Sequence, residues 1–172
     1  MRKIIFILIF ILSFSATAQQ NSEKLKFRCF DYGVVGIYSD LKTNGIRGVN
    51  SNIELSTIYR QNIVSLDLNI GYGITKVGNT IKNLQGFIGA NLLYSREYQL
   101  SDNIFVEPQT GLGYIIQGNT SNPEDKSSIA LPLKLKLKFR TSKKFSIVIM
   151  PNANLNNINN IYATNLILQF KL

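Results

Sequence analysis

Histidine and tryptophan are absent from this chain of 172 residues, and cysteine occurs once. Without histidine there is no Ser-His-Asp triad, no imidazole metal ligand and no ordinary imidazole acid–base chemistry. A single cysteine excludes an internal disulfide and a thiolate cluster. Acids are also scarce, with 10 Asp and Glu against 19 Lys and Arg, for a formal net charge of +9. The one long apolar run, Ile4 to Phe14, falls short of the ~20 residues that a membrane-crossing helix needs. The length fits one domain.

That apolar run reads instead as part of an export leader. Met1-Arg2-Lys3 is a short positive segment, and Ile4 to Phe14 is apolar apart from Ser13. Ala16-Thr17-Ala18 is the small-x-small pattern that signal peptidase accepts. The expected division is a signal peptide over 1–18 and one domain over 19–172. Cys29 lies too far past the cleavage point to be a lipidation site, and a lone cysteine suits an exported protein without a disulfide framework.

Past the leader no helical periodicity appears. The dominant signal is alternation of apolar and polar residues, the period of a strand with two unlike faces. In 129–140, Ile129, Leu131, Leu133, Leu135, Leu137 and Phe139 share one face, and Ala130, Pro132, Lys134, Lys136, Lys138 and Arg140 share the other. In 64–75, Val64, Leu66, Leu68, Ile70, Tyr72 and Ile74 alternate with Ser65, Asp67, Asn69, Gly71, Gly73 and Thr75. The reading yields eight segments: 25–39, 48–60, 63–76, 82–100, 104–117, 128–140, 145–156 and 161–172. Each matches or exceeds the ~9–11 residues of a tilted membrane-spanning strand. Tight polar turns at 61–62, 101–103 and 141–144 alternate with connections at 40–47, 77–81, 118–127 and 157–160. Such an order suits an all-β, eight-stranded antiparallel up-and-down barrel with both termini at the tight-turn end.

Alternation alone does not say which face meets the core. A soluble carrier barrel turns its apolar face inward, and a transmembrane β-barrel turns it outward. Three features favour the outward reading. First, Asp31, Glu54, Asp67, Glu97 and Glu107 all fall on the polar face, while the bases on the apolar face, Arg28, Lys76, Lys82 and Arg96, sit near segment ends where they can snorkel. Second, all eight tyrosines fall on the apolar face. The expected membrane-interface aromatics are Tyr38, Tyr59, Tyr98, Phe139, Phe145, Tyr162 and Phe170. Third, the polar face carries Gly33, Gly71, Gly73, Gly89, Gly111 and Gly113, which make room for longer side chains such as Lys134 and Glu107 in a narrow lumen. Pro108, Pro132 and Pro151 fall inside strands, where bulges or strand ends are expected.

A cleaved leader, eight alternating segments and a last strand of Tyr162, Thr164, Leu166, Leu168, Phe170 and Leu172 resemble the small outer-membrane β-barrel proteins of Gram-negative bacteria. Outer membrane protein A (its membrane domain) and outer membrane protein X typify them. The resemblance covers 19–172 and is architectural. It implies a cell-envelope protein, porin-like only in its barrel, located in the bacterial outer membrane and inserted by the barrel assembly machinery.

The candidate site is the lumen. Its charge network is expected to comprise Asp31, Glu54, Asp67, Glu107, Lys134, Lys136, Lys138 and Arg140, with Glu97, Arg60 and Lys171 nearby. Unpaired charges in a narrow lumen cost several kcal/mol each, so pairing is expected. The network is read as a structural plug, with an ion-selective gate as the alternative. Read as a nucleic-acid stripe, Lys134-x-Lys136-x-Lys138-x-Arg140 lacks stacking aromatics on its own face. Glu54 and Glu107 could form an acid–base pair, but the lysines on their face make them charge partners instead. Cys29 is expected to be inert, and Lys143-Lys144 to solubilise a turn. The loops at 40–47 and 118–127 are the best candidates for contacts outside the cell, because loops on a rigid barrel carry recognition, but they are short and carry no aromatic cluster.

The expectation is therefore a monomeric, non-enzymatic barrel with a charged, filled lumen and a structural or surface-interaction role. Outer-membrane lipid is its partner and nucleic acid is not. No catalytic residue, cofactor or metal is expected. A narrow ion or solute channel and a soluble periplasmic barrel carrying an apolar ligand are the alternatives.

Overall fold

The computed structural model describes residues 25–40, 47–77, 80–119 and 122–172. The expected leader at 1–18 lies outside them, as do 41–46, 78–79 and 120–121 of the connecting loops.

The alternating segments become strands. They are β1 (Lys26–Asp40), β2 (Arg47–Tyr59), β3 (Asn62–Val77), β4 (Thr80–Ser95), β5 (Tyr98–Ser101), β6 (Ile104–Asn119), β7 (Asn122–Arg140), β8 (Phe145–Asn156) and β9 (Ile161–Lys171). All neighbours are antiparallel. The sheet runs β4-β3-β2-β1-β9-β8-β7-β6-β5, and β4 also pairs with β6, which closes it. β4 and β5 both pair with β6, in one register from Gln85 through Gln99, and form a single stave interrupted at Arg96 and Glu97; the register shifts only beyond Gln99. The barrel thus has eight staves, as the alternation predicts. Closure leaves no free edge to template another chain.

The burial pattern settles the orientation. On β7, Leu133 and Leu135 are 42% and 38% exposed, whereas Lys136 between them and Leu137 is fully buried. The apolar side chains point away from the axis and the charged ones toward it.

The strand extents depart from expectation in one region. The connection expected over 118–127 is mostly strand, because β6 reaches Asn119 and β7 starts at Asn122, with Gln117 paired to Lys126. Its Ser, Thr, Asn and Lys content reads as loop, but ladder bonds join backbone groups and do not require apolar side chains. At Asp125, Lys126 and Ser127 successive residues are exposed, so nothing there imposes alternation.

Two bulges in β1 correct the expected faces. The register against β2 shifts between Phe27 and Cys29. Phe27 stays outside, and Arg28, expected among the snorkelling bases, turns inward with Cys29. A second shift lies between Gly33 and Val35 against β9. There Val34 and Val35 are both outward, 47% and 50% exposed, and parity is inverted beyond them. Tyr38, expected at the membrane interface, consequently points into the lumen at 6% exposure. One extra residue in a strand flips every later side chain to the other face. The prolines, where bulges were expected, cause no register shift: Pro108, Pro132 and Pro151 lie within β6, β7 and β8.

Candidate functional site: the filled lumen

Three carboxylates lie side by side around the wall. Asp31 on β1 faces Glu54 on β2, which faces Asp67 on β3. All three are fully buried. Like charges directly opposite one another destabilise a sheet, so this row requires cations from elsewhere. The far wall supplies them, because alternation on β7 aims Lys134, Lys136 and Lys138 inward from one strand.

Lys136 Nζ reaches Asp31 Oδ2 at 2.5 Å and Glu54 Oε1 at 2.8 Å. Lys134 Nζ lies 2.7 Å from Asp67 Oδ2. Lys138 Nζ binds Glu107 and lies 2.9 Å from Glu97 Oε2. Arg28, brought in by its bulge, donates to Glu97 at 2.5 Å and to Glu107 at 2.8 Å. Arg140 lies 3.9 Å from Glu97, and its guanidinium stacks 3.9 Å from the Phe105 ring centroid. Five acids thus meet five bases.

Neutral donors add to the carboxylates' shells, leaving Glu54 Oε2 as the one carboxylate oxygen of the network that is buried without a hydrogen-bond partner. Gln109 Nε2 donates to both Glu54 Oε1 and Glu107 Oε1, at 3.0 and 2.9 Å. Asp67 accepts from the side-chain amides of Asn52, Asn69 and Asn91. Ser95 Oγ donates to Glu107 at 2.9 Å, and Gln169 Nε2 donates to Asp31 at 2.9 Å and lies 3.4 Å from Cys29 Sγ. Removing such ions from water costs several kcal/mol each, and full pairing is what offsets it.

Sequence reasoning placed Asp31, Glu54, Asp67, Glu97, Glu107, Lys134, Lys136, Lys138 and Arg140 on the lumen face, and the structure joins them in this network. Lys171 sits half-buried at the end of β9. Arg60 does not face the lumen. It is exposed in the β2–β3 turn with a φ of 58°, its guanidinium over Tyr59. Of the expected interface aromatics, Tyr98, Phe139 and Phe170 are exposed on the outer wall, and Tyr59, Phe145 and Tyr162 are half-buried. Phe145 and Phe170 pair across β8 and β9 at 5.3 Å.

Toward the longer connections the filling changes. Asn50, Asn52, Asn91 and Asn165 form a buried amide layer, with Asn50 and Asn52 both bonded to Asn165. Beyond it Tyr38, Phe87, Ile115, Ala130, Ile161 and Ala163 make an apolar cap. Sequence reasoning missed this cap, having read the inward face as uniformly polar. The available signal is loss of alternation, as in Phe87-Ile88 and Ile115-Ile116, where the first residue faces the cap and the second the outer wall. The glycines also serve different neighbours from those expected. A Cβ on Gly71 would stand 2.2 Å from the Phe87 ring, and one on Gly113 would stand 2.0 Å from Asn91 Oδ1. Gly71 makes room for Phe87, Gly33, Gly89 and Gly113 for asparagines, and Gly111 for the backbone of Leu92, rather than for Lys134 or Glu107.

Among the described residues no helix is long and apolar enough to cross a membrane, and no group of acids and cysteine is placed to hold a metal. No protein-family model and no curated protein sequence matches this chain. Solved structures do match. Neisserial surface protein A is 13% identical with a TM-score of 0.61, over 85% of this chain and 97% of that one. Ail, the attachment invasion locus protein of Yersinia pestis, is 11% identical with a TM-score of 0.56, over 87% and 99%. The N-terminal β-barrel domain of Pseudomonas aeruginosa OprF is 9% identical with a TM-score of 0.53, over 87% and 100%. The fold is that of the small outer-membrane β-barrels. With a charged interior and an apolar exterior, it is not the inward-apolar barrel of a soluble carrier.

Proposed function

We propose that this chain is an integral protein of the bacterial outer membrane whose lumen is a structural plug. The observation that carries this reading is the inversion on β7: Lys136 is sealed inside while Leu133 and Leu135 lie open on the outer wall. A soluble barrel with that exterior would expose apolar surface around its whole girth, far beyond the few hundred Å² normal for a monomer. Immersed in lipid, the same surface is matched to its solvent.

Among the described residues the filling of the lumen favours a plug over a conduit. The space left among Asn50, Asn52, Asn91, Asn165 and Lys134 is about 20 Å³, roughly the room of one water. The ionic layer below it is filled by paired side chains, which supports the plug over the narrow-channel alternative. Glu54 and Glu107 are fully buried and tied to one glutamine, with no face open to a substrate. On this reading the two glutamates serve structure rather than catalysis. The protein is exported by its leader, inserted as a monomer by the barrel assembly machinery, and acts through its fold or its outer connections.

Refolding into phospholipid vesicles tests the reading. The expected outcome is heat-modifiable migration on a gel, protection of the strands from protease, and electrical silence in a planar bilayer. Steady conductance abolished by Lys136→Ala would replace the plug with a gate. Recovery of the native protein in the soluble periplasmic fraction would end the membrane assignment.

A further inference from the structure

The outer wall of a small barrel is convex, but here it carries a groove of about 750 Å³. Its outward lining includes Tyr94, Tyr98, Pro108, Leu135, Pro151 and Ala153. The cause is local. Pro108 and Pro151 bring no N–H to the ladder and little side-chain bulk. Beside Pro108 the fourth stave is interrupted at Arg96 and Glu97. Beside Pro151 the β7–β8 pairing is interrupted between Lys134–Asn152 and Leu137–Ile149. Both interruptions open onto the groove.

One cation stands at its end. Arg96 is exposed, and its Nε and Nη2 donate to Asn62 Oδ1 at 3.1 and 3.0 Å, with Nε also 3.1 Å from the Tyr94 hydroxyl. These acceptors are neutral. Among the described residues no carboxylate pairs with Arg96, whereas the other cation of the lining, Lys134, is paired with Asp67 inside. Arg96 is therefore held in place with its charge uncompensated, and a guanidinium fork matches phosphate oxygens.

The groove has a direction. Arg96 lies at the level of Asn62, next to the β2–β3 turn, and Tyr94 and Tyr98 flank it at the depth of an interfacial girdle. From there the row passes Pro108 and Leu135, which are paired, and reaches Pro151 near the middle of β8. Strands of such barrels tilt by about 35–45°, so a row at right angles to them climbs from headgroup level toward the bilayer centre.

We propose that this groove binds one phospholipid of the leaflet at the tight-turn end, its phosphate on Arg96 and an acyl chain laid along Pro108, Leu135 and Pro151. The proposal rests on the membrane-spanning reading above. Refolded protein is equilibrated with dioleoylphosphatidylglycerol or with dioleoylglycerol, which lacks the phosphate, and examined by native mass spectrometry. One phosphatidylglycerol per barrel should survive detergent removal, and dioleoylglycerol should not. Arg96→Gln should weaken retention by about tenfold, the loss expected for a charge-assisted contact. Ala153→Phe, which fills the upper groove and leaves Arg96 intact, should weaken it as well. Heat-modifiable migration of each variant certifies its fold. Equal retention by wild type and both folded variants, or equal retention of the two lipids, overturns the site. Failure of the wild type to insert into vesicles overturns the membrane reading itself, a separate result.

Discussion

Lys136 on β7 binds Glu54 on β2 at 2.8 Å, although three staves lie between the two strands in either direction around the wall. The bond spans the diameter. With Lys134–Asp67 and Lys136–Asp31, it braces β7 against the three adjacent staves that carry the carboxylate row.

Lys136→Met removes the single ammonium shared by Asp31 and Glu54 and leaves two buried carboxylates facing each other. The expected loss is about 3–5 kcal/mol, the cost of breaking a buried pair from one side. Urea unfolding of the refolded barrel measures it. Adding Asp31→Asn and Glu54→Gln to Lys136→Met removes the stranded charges and should recover most of that loss. If the triple variant is no more stable than the single one, the network contributes through something other than charge pairing.

Gly71 and Phe87 make a second coupled pair. The Gly71 position has no room for a Cβ, which would stand 2.2 Å from the Phe87 ring, and that ring packs edge-on against Tyr38 with centroids 5.1 Å apart. Gly71→Ala should cost about 1–3 kcal/mol through overpacking. Phe87→Leu alone leaves a partial void, but in the Gly71→Ala background it should relieve the clash. Unfolding midpoints of the two singles and the double test this, and strict additivity would mean that the alanine displaces the backbone rather than the ring.

Most of this architecture is legible in the sequence because lipid and lumen impose opposite demands on alternate residues. Leu133, Lys134, Leu135 and Lys136 state strand, face and partner type at once. Tyr38 and Arg28 were misplaced for one reason: a bulge inserts a residue without any composition signal, and Val34-Val35 looks like any apolar step. The apolar cap of Phe87, Ile115 and Ile161 was hidden because a dry lumen accepts oily side chains as readily as paired ions. Distance from the tight-turn end puts Glu54, Asp67, Glu107, Lys136 and Lys138 within reach of one layer, but which acid each lysine takes depends on barrel tilt and stagger, which no single strand encodes.

The outer wall yields a third expectation. Leu68, exposed near the middle of β3, alternates with buried Asp67 and with Asn69. Leu68→Arg puts a charge on the lipid face near the bilayer midplane and should cost about 2–4 kcal/mol in vesicles. In a soluble barrel the same change on an open surface would be nearly neutral. Refolding yield and urea midpoints in vesicles distinguish the two.

Cys29 reports closure. It is 1% exposed inside the ionic layer, beside Gln169 and Asp31. A thiol so enclosed is shielded from reagent whatever its intrinsic reactivity. The unboiled barrel should resist maleimide, and the boiled chain should label fully. Rapid labelling of the folded form would reveal a water path through the plug.

Acid should weaken the plug first at its tight-turn end. Glu97 lies between β4 and β5, outside the strands. Burial pushes its carboxyl upward, but Lys138 and Arg28 more than offset this and hold it below the ordinary glutamate value of 4.5. A carboxyl with a depressed folded-state pKa contributes stability that is complete above its unfolded value and disappears as the pH falls through the folded one. The contribution of Glu97 should therefore be constant from neutral pH down to about 5 and decline below the ordinary value. Glu97→Gln should remove that part of the decline while lowering the midpoint at neutral pH, because Lys138 and Arg28 each lose a counter-ion. Urea midpoints from pH 7 to pH 3 for both proteins settle it: parallel curves would show that the acid response belongs to other carboxylates, and convergence at low pH assigns it to Glu97.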